Sequence, residues 1–142
     1  MRTTYAGTFL RPNTAVNVYF DISSGMRGLD MEMAIFNIGK MLDNANCSAT
    51  LKFFDRQINS ITYGIPAGEA SKYLAILQKQ IPGGDGTLFK CIAADHTKGQ
   101  AIVVGDGYFA EGTPDRLGND DMYFYDSFDR FSQIRQFIEI NL

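Results

Sequence analysis

A chain of 142 residues is one domain of ordinary size, and 45% apolar with only 20% charged residues supplies a core and excludes a disordered chain. Thirteen Lys and Arg against sixteen Asp and Glu leave a net charge of −3, which argues against gripping a nucleic-acid backbone as the main activity. No run approaches the ~18 apolar residues of a membrane span. Met1-Arg2-Thr3-Thr4-Tyr5 lacks the apolar stretch of a secretion signal, so the expected location is the cytoplasm, with neither nucleic acid nor membrane as partner.

In chain order, residues 1–15, with Pro12, Asn13 and several threonines, read as an N-terminal arm or an irregular edge segment, and residues 16–142 as the domain. Val16-Asn17-Val18-Tyr19-Phe20 is β-rich and ends at Asp21. Met31, Ile35, Ile38, Leu42 and Ala45 recur at helical spacing, which predicts an amphipathic helix over 30–45 with Asp30 as its N-cap. Ala49 to Phe54 reads as a second strand, stopped by Asp55-Arg56, and the alternation from Gln57 to Tyr63 pairs with it as a half-exposed hairpin. Ala70, Tyr73, Leu74, Leu77 and Ile81 form the face of another helix. Pro82-Gly83-Gly84-Asp85-Gly86-Thr87 is a glycine loop, and Leu88 to Ala94 a short helix. Ala101-Ile102-Val103-Val104 is apolar without interruption, as expected of a strand covered on both faces, and Asp106-Gly107 ends it. After a polar excursion over 112–119, Met122 to Tyr125 is a last strand, and Phe128, Phe131, Ile134 and Phe137 fit a C-terminal helix.

Strands alternating with helices predict a three-layer α/β fold: a mostly parallel central sheet, one antiparallel edge hairpin, and helices on both faces. The two cysteines, Cys47 and Cys91, make no disulfide framework, and no second Cys or His stands at zinc-ligand spacing from either. The single histidine, His96, lies beside Asp95 near a helix end and reads as a capping or surface residue, which discounts Ser-His or Cys-His catalysis.

In open α/β sheets, ligands bind beyond the carboxyl ends of the strands. Three such places carry unusual residues: Asp21-Ile22-Ser23-Ser24-Gly25 after the first strand, Thr87 in the glycine loop, and Asp106-Gly107 after the buried strand. Two carboxylates and two or three hydroxyls are oxygen donors that suit a hard cation such as Mg²⁺. Taken singly, each has a plainer reading: Asp21 or Ser23 as a helix cap, Asp106-Gly107 as a turn, the glycine loop as a tight connection. Their joint occurrence in this order favours a site.

That joint pattern resembles the von Willebrand factor A-like domain and its metal-ion-dependent adhesion site, over about residues 16–138. The family's motif is Asp-x-Ser-x-Ser after the first strand, a Thr in a glycine-containing loop, and an Asp closing the buried fourth strand. Asp21 and Ser23 match the first two positions, Thr87 the loop threonine and Asp106 the last aspartate. The nearest variety is the bacterial VWA-like domain at the C-terminus of metallopeptidase-like proteins, whose features are similar to Phe54-Asp55, Gly84-Asp85-Gly86-Thr87-Leu88-Phe89 and Asp106-Gly107-Tyr108. Two positions depart from the family: Gly25 stands where a serine belongs, with Ser24 before it, and Asp85 makes the loop one residue longer.

The resemblance implies recognition, not catalysis. Ser23 and Thr87 would bind Mg²⁺ or Mn²⁺ directly, and Asp21 and Asp106 largely through water. Ser24, Gly25, Asp55 and Asp85 are the additional or supporting candidates. The partner would be a protein whose Asp or Glu completes the ion's shell, with a MoxR-type AAA+ ATPase as the partner class by analogy. Tyr108 and Phe109, just after Asp106, would form the rim of the partner groove. Two enzymatic readings compete. Gly-Gly-Asp-Gly-Thr-Leu is also the signature of NAD and diacylglycerol kinases, although there an apolar strand runs straight into the glycines. A metal-dependent nuclease of PIN or NYN type would use Asp21, Asp55, Asp85 and Asp106 as an acidic cluster.

Overall fold

The computed structural model describes residues 3–5, 10–23, 29–81, 84, 86–88, 90–95, 99–105, 122–126 and 133–136. The described elements run β1 (Thr3–Tyr5), β2 (Ala15–Asp21), α1 (Leu29–Asn44), β3 (Ser48–Phe54), β4 (Ile58–Ile65), α2 (Ala70–Leu77), α3 (Lys90–Asp95), β5 (Gln100–Gly105), β6 (Met122–Asp126) and β7 (Gln133–Gln136). All the strands join one sheet in the order β1-β7-β6-β5-β2-β3-β4.

The centre of the sheet is parallel. β2 pairs with β3 from Ala15↔Ser48 to Asp21↔Phe54, and with β5 from Val16↔Gln100 to Phe20↔Val104. β6 continues the parallel run on the far side of β5. The β3–β4 hairpin closes one edge antiparallel, and β7 and β1 close the other, also antiparallel. The fold is therefore the three-layer α/β architecture expected, with an antiparallel pair added at the second edge.

Why the central strands are apolar throughout follows from the layers. Along β2, Val16, Val18 and Phe20 enter one core with α1 and α2, while Tyr19 enters a second core on the opposite face with Ile92 of α3. β5 divides the same way, Ile102 and Val104 to one face and Ala101 and Val103 to the other. α1 buries Met31, Ala34, Ile35, Ile38, Met41 and Leu42. Full burial of a side chain such as Ile38 or Leu42 contributes on the order of 1.5–3 kcal/mol. Helices α1 and α2 approach closely at Gly39, where a Cβ would stand only 2.9 Å from Cα of Ser71. α1 also caps α2: Asp43 accepts from Ala70 N at 2.7 Å and from Ser71 N at 3.1 Å, satisfying donors that helical bonding leaves open.

Two local expectations need correction. α1 begins at Leu29, so Asp30 lies inside the first turn and is not its N-cap. The C-terminal helix is not formed at Gln133–Gln136, which is strand β7 between β6 and β1. The three-residue spacing of the apolar residues suggested a helix, but Gln133-Ile134-Arg135-Gln136 holds only one of them, Ile134. β6 offers an open edge there, and pairing across it overrides the local signal. Residues 128, 131 and 137 lie outside the described residues, as does the 112–119 excursion. Among the described residues, no helix is long and apolar enough to cross a membrane.

Candidate functional site

Parallel strands share a direction, so β2, β3 and β5 deliver their carboxyl ends to one edge of the sheet. Asp21 ends β2, Asp55 follows β3, and residue 106 follows β5. The β2–β3 ladder runs one step past Asp21, with Ile22 N donating to Phe54 O at 3.0 Å. The chain then turns back, and Ser23 N donates to Oδ1 of Asp21 at 2.8 Å.

The glycine loop folds down onto this edge. Leu88 N donates to Asp55 O at 2.9 Å. Gly84 sits so close that a Cβ would lie 2.7 Å from Cγ1 and 2.9 Å from the carbonyl oxygen of Ile22, and 3.1 Å from Cβ of Asp55. Gly86 is needed for a different reason: its φ is +71°, the left-handed region, and Arg56 lies over it. Between these contacts the Thr87 hydroxyl reaches across 66 residues of sequence to Asp21, donating to Oδ1 at 3.2 Å and to Oδ2 at 3.4 Å.

Four polar or charged residues are buried among the described residues: Asp21, Ser23, Thr87 and Gln100. Gln100 stands at the start of β5, where Arg11 N donates to it at 2.8 Å. The other three gather at the carboxyl edge, with exposures of 2%, 8% and 4% for Asp21, Ser23 and Thr87. A buried carboxylate is costly unless donors surround it, and here Ser23 N and the Thr87 hydroxyl both point at it. Both bonds from Thr87 exceed the 2.7–2.8 Å usual for O–H···O. The Ser23 hydroxyl makes no hydrogen bond among the described residues, and a buried polar group left so costs about 1–3 kcal/mol.

These observations test the donor set against a divalent ion. One carboxylate and two hydroxyl oxygens are hard, oxygen-only donors, which fit Mg²⁺ or Mn²⁺ and not a soft metal. Thr87 donates its hydrogen bond to Asp21 and so keeps its lone pairs for a cation, and the Ser23 oxygen has no partner among the described residues. Among the described residues, no group of three or more His, Cys, Asp or Glu forms a metal cluster. Asp55 is half-buried, and its Oδ1 accepts from Gln57 N at 3.2 Å. Ser24, Gly25, Asp85, Asp106, Tyr108, Phe109 and His96 lie outside the described residues. Ahead of the glycines runs a 3-10 turn, Gln78–Gln80, and not the apolar strand of the kinase motif.

Two features of the structure are not readable from residue spacing. One is Arg56, whose guanidinium lies against Gly86. The other is a polar network on the α3 face. The phenol of fully buried Tyr19 donates to Oδ2 of Asp95 at 2.7 Å, and Nζ of Lys52 pairs with the same oxygen at 2.6 Å. Burial, and then the Asp95 carboxylate that accepts its proton, push the Tyr19 phenol well above the usual tyrosine range. No family model matches the chain, and no curated protein matches it, so the functional reading rests on the residues themselves.

Proposed function

We propose that the chain is a von Willebrand factor A-like domain that binds a partner protein through one divalent ion, Mg²⁺ or Mn²⁺, and is not an enzyme. Ser23 and Thr87 offer their hydroxyl oxygens directly. Asp21 supports them from below as the acceptor of the Thr87 proton, and acts on the ion largely through water, as does Asp106. The ion supplies a strong, geometry-dependent attraction for one carboxylate of the partner. By analogy alone, that partner belongs to the AAA+ ATPases of MoxR type, and the work takes place in the cytoplasm.

The observation that carries this reading is the meeting of Thr87 with Asp21 at the carboxyl edge of the sheet, beside a buried Ser23 hydroxyl with no partner among the described residues. A ligand that binds only the folded chain raises its stability by about 2.7 kcal/mol at a hundredfold excess over Kd. Thermal denaturation with and without Mg²⁺ or Mn²⁺ tests this. A metal-dependent rise that Thr87→Val and Asp21→Asn abolish is the expected result. A wild-type melting curve indifferent to both metals at millimolar concentration sinks the reading.

A further inference from the structure

The turn that joins β3 to β4 is short and internally tied. Asp55 N donates to Gln57 O at 3.1 Å, and Gln57 N donates back to Oδ1 of Asp55 at 3.2 Å. The same turn is fastened to the glycine loop by Leu88 N on Asp55 O. Arg56 sits at its tip, and its side chain lies along Gly86. A Cβ on Gly86 would stand 3.0 Å from Nε, 3.6 Å from Nη2 and 3.7 Å from Cγ of Arg56. Gly86 immediately precedes Thr87, so the Arg56 side chain lies against the loop one residue from a proposed ligand of the ion. Arg56 is exposed, and among the described residues its side chain has neither an ion pair nor a hydrogen bond.

A positive charge beside a divalent-ion site is unfavourable for the ion alone, because like charges repel. It becomes favourable when the ion and the guanidinium share an anionic ligand. A guanidinium presents a planar fork of N–H donors that matches both oxygens of one carboxylate. The ion's open position takes one oxygen ligand from a first carboxylate and leaves the fork for a second.

Resting on the ion site proposed above, we infer that Arg56 is a specificity-determining residue: it selects a partner segment with two neighbouring acidic side chains, one for the ion and one for the guanidinium. Gly86 belongs to the same device, since a Cβ there would press on Nε of Arg56 at 3.0 Å.

The test uses the full chain loaded with Mn²⁺ and two probes: the capped peptide Gly-Glu-Gly-Glu-Gly and its counterpart with the second Glu replaced by Gln. Binding is read from the broadening of the peptide methylene protons by Mn²⁺, and Mn²⁺ affinity is read separately from the free-ion EPR signal. Wild type is expected to hold the two-acid peptide about tenfold more tightly than the one-acid peptide, the size of one charge-assisted contact. In Arg56→Gln that preference falls to near unity while Mn²⁺ affinity stays the same or tightens. Arg56→Lys restores only part of it, because an ammonium lacks the fork. A tenfold preference that survives Arg56→Gln, or no preference in wild type with Mn²⁺ bound, overturns the assignment to Arg56 and leaves the ion site standing. No Mn²⁺ uptake in the EPR titration overturns both together. Displacement of the two-acid peptide by millimolar inorganic phosphate from wild type, but not from Arg56→Gln, overturns the dicarboxylate class in favour of phosphate.

Discussion

Gly84→Ala isolates how tightly the glycine loop is pressed onto the strand ends. Gly84 is not in the left-handed region, so its backbone accepts alanine and the consequence is purely one of space. The new Cβ would lie 2.9 Å from the carbonyl oxygen of Ile22, a backbone atom held in the ladder by the neighbouring Ile22 N–Phe54 O bond, and 3.1 Å from Cβ of Asp55. Its third neighbour, Cγ1 of Ile22 at 2.7 Å, belongs to a side chain that is only 4% exposed and has little room to swing. Overpacking of this kind costs about 1–3 kcal/mol, and the entropy that alanine removes from the unfolded chain returns about 0.4–1 kcal/mol. The net expectation is a loss of about 1–2 kcal/mol, or a fall in Tm of roughly 3–8 °C for a chain near this size. Gly64→Ala in β4 is the matched control, because a Cβ there meets nothing within 4 Å. It should raise stability by about 0.5–1 kcal/mol. Urea denaturation of the pair decides the matter through the sign of the difference. If Gly84→Ala is as stable as Gly64→Ala, the loop does not rest on the strand ends, and the position of Thr87 loses its support.

Removing the Asp43 carboxylate in Asp43→Ala takes the acceptors from two backbone N–H groups at the start of α2 and should cost about 0.5–2 kcal/mol by chemical denaturation, with Asp43→Asn, which keeps one acceptor oxygen, recovering part of it. The raised Tyr19 phenol gives a pH signature. Its neutral form is favoured in the folded chain, so its contribution is complete below the unfolded value of about 10 and is lost as pH rises beyond it. Urea midpoints should therefore fall between about pH 10 and 11 in wild type, and fall less in Tyr19→Phe.

The strand ends were legible because three apolar runs stop abruptly, at Asp21, at Phe54-Asp55 and at Val104-Gly105, and an abrupt stop marks where a strand leaves the core. The helical faces of α1 and α2 were legible for the same reason, burial at a period near 3.6. Gln133–Gln136 was not, because four residues carry too little periodicity to oppose an open sheet edge. Asp30 misled because a good capping residue lies one position inside the helix start, a boundary that propensity does not resolve. Of the site, the meeting of Asp21 and Thr87 follows from topology once the strand order is known. The position of Arg56 over Gly86 does not, since it depends on the direction a side chain takes across a hairpin turn. The Lys52–Asp95–Tyr19 network joins residues 43 and 76 apart in sequence, and no spacing rule connects them.

That network bears on the site through the geometry of one strand. Tyr19 and Asp21 are two residues apart in β2 and therefore lie on the same face of the sheet, the face that carries α3. Tyr19 binds Asp95, the last residue of α3, and Asp21 binds Thr87, three residues before its first. Adjacent rungs of one strand thus pin both ends of the segment 87–95, with Ile92 buried between them. Two pins on a short, stiff segment share its ordering entropy: once one is fixed, the other closes a smaller loop. Their losses should then be less than additive. In a double-mutant cycle of Tyr19→Phe and Thr87→Val, the double variant should be more stable than the sum predicts by about 0.5 kcal/mol or more, the level at which coupling is distinguished from independence. Strict additivity in urea denaturation would mean that the two ends are held separately. The hydroxyl of Thr87 would then owe its position to the Leu88–Asp55 bond and the Gly84 contact alone.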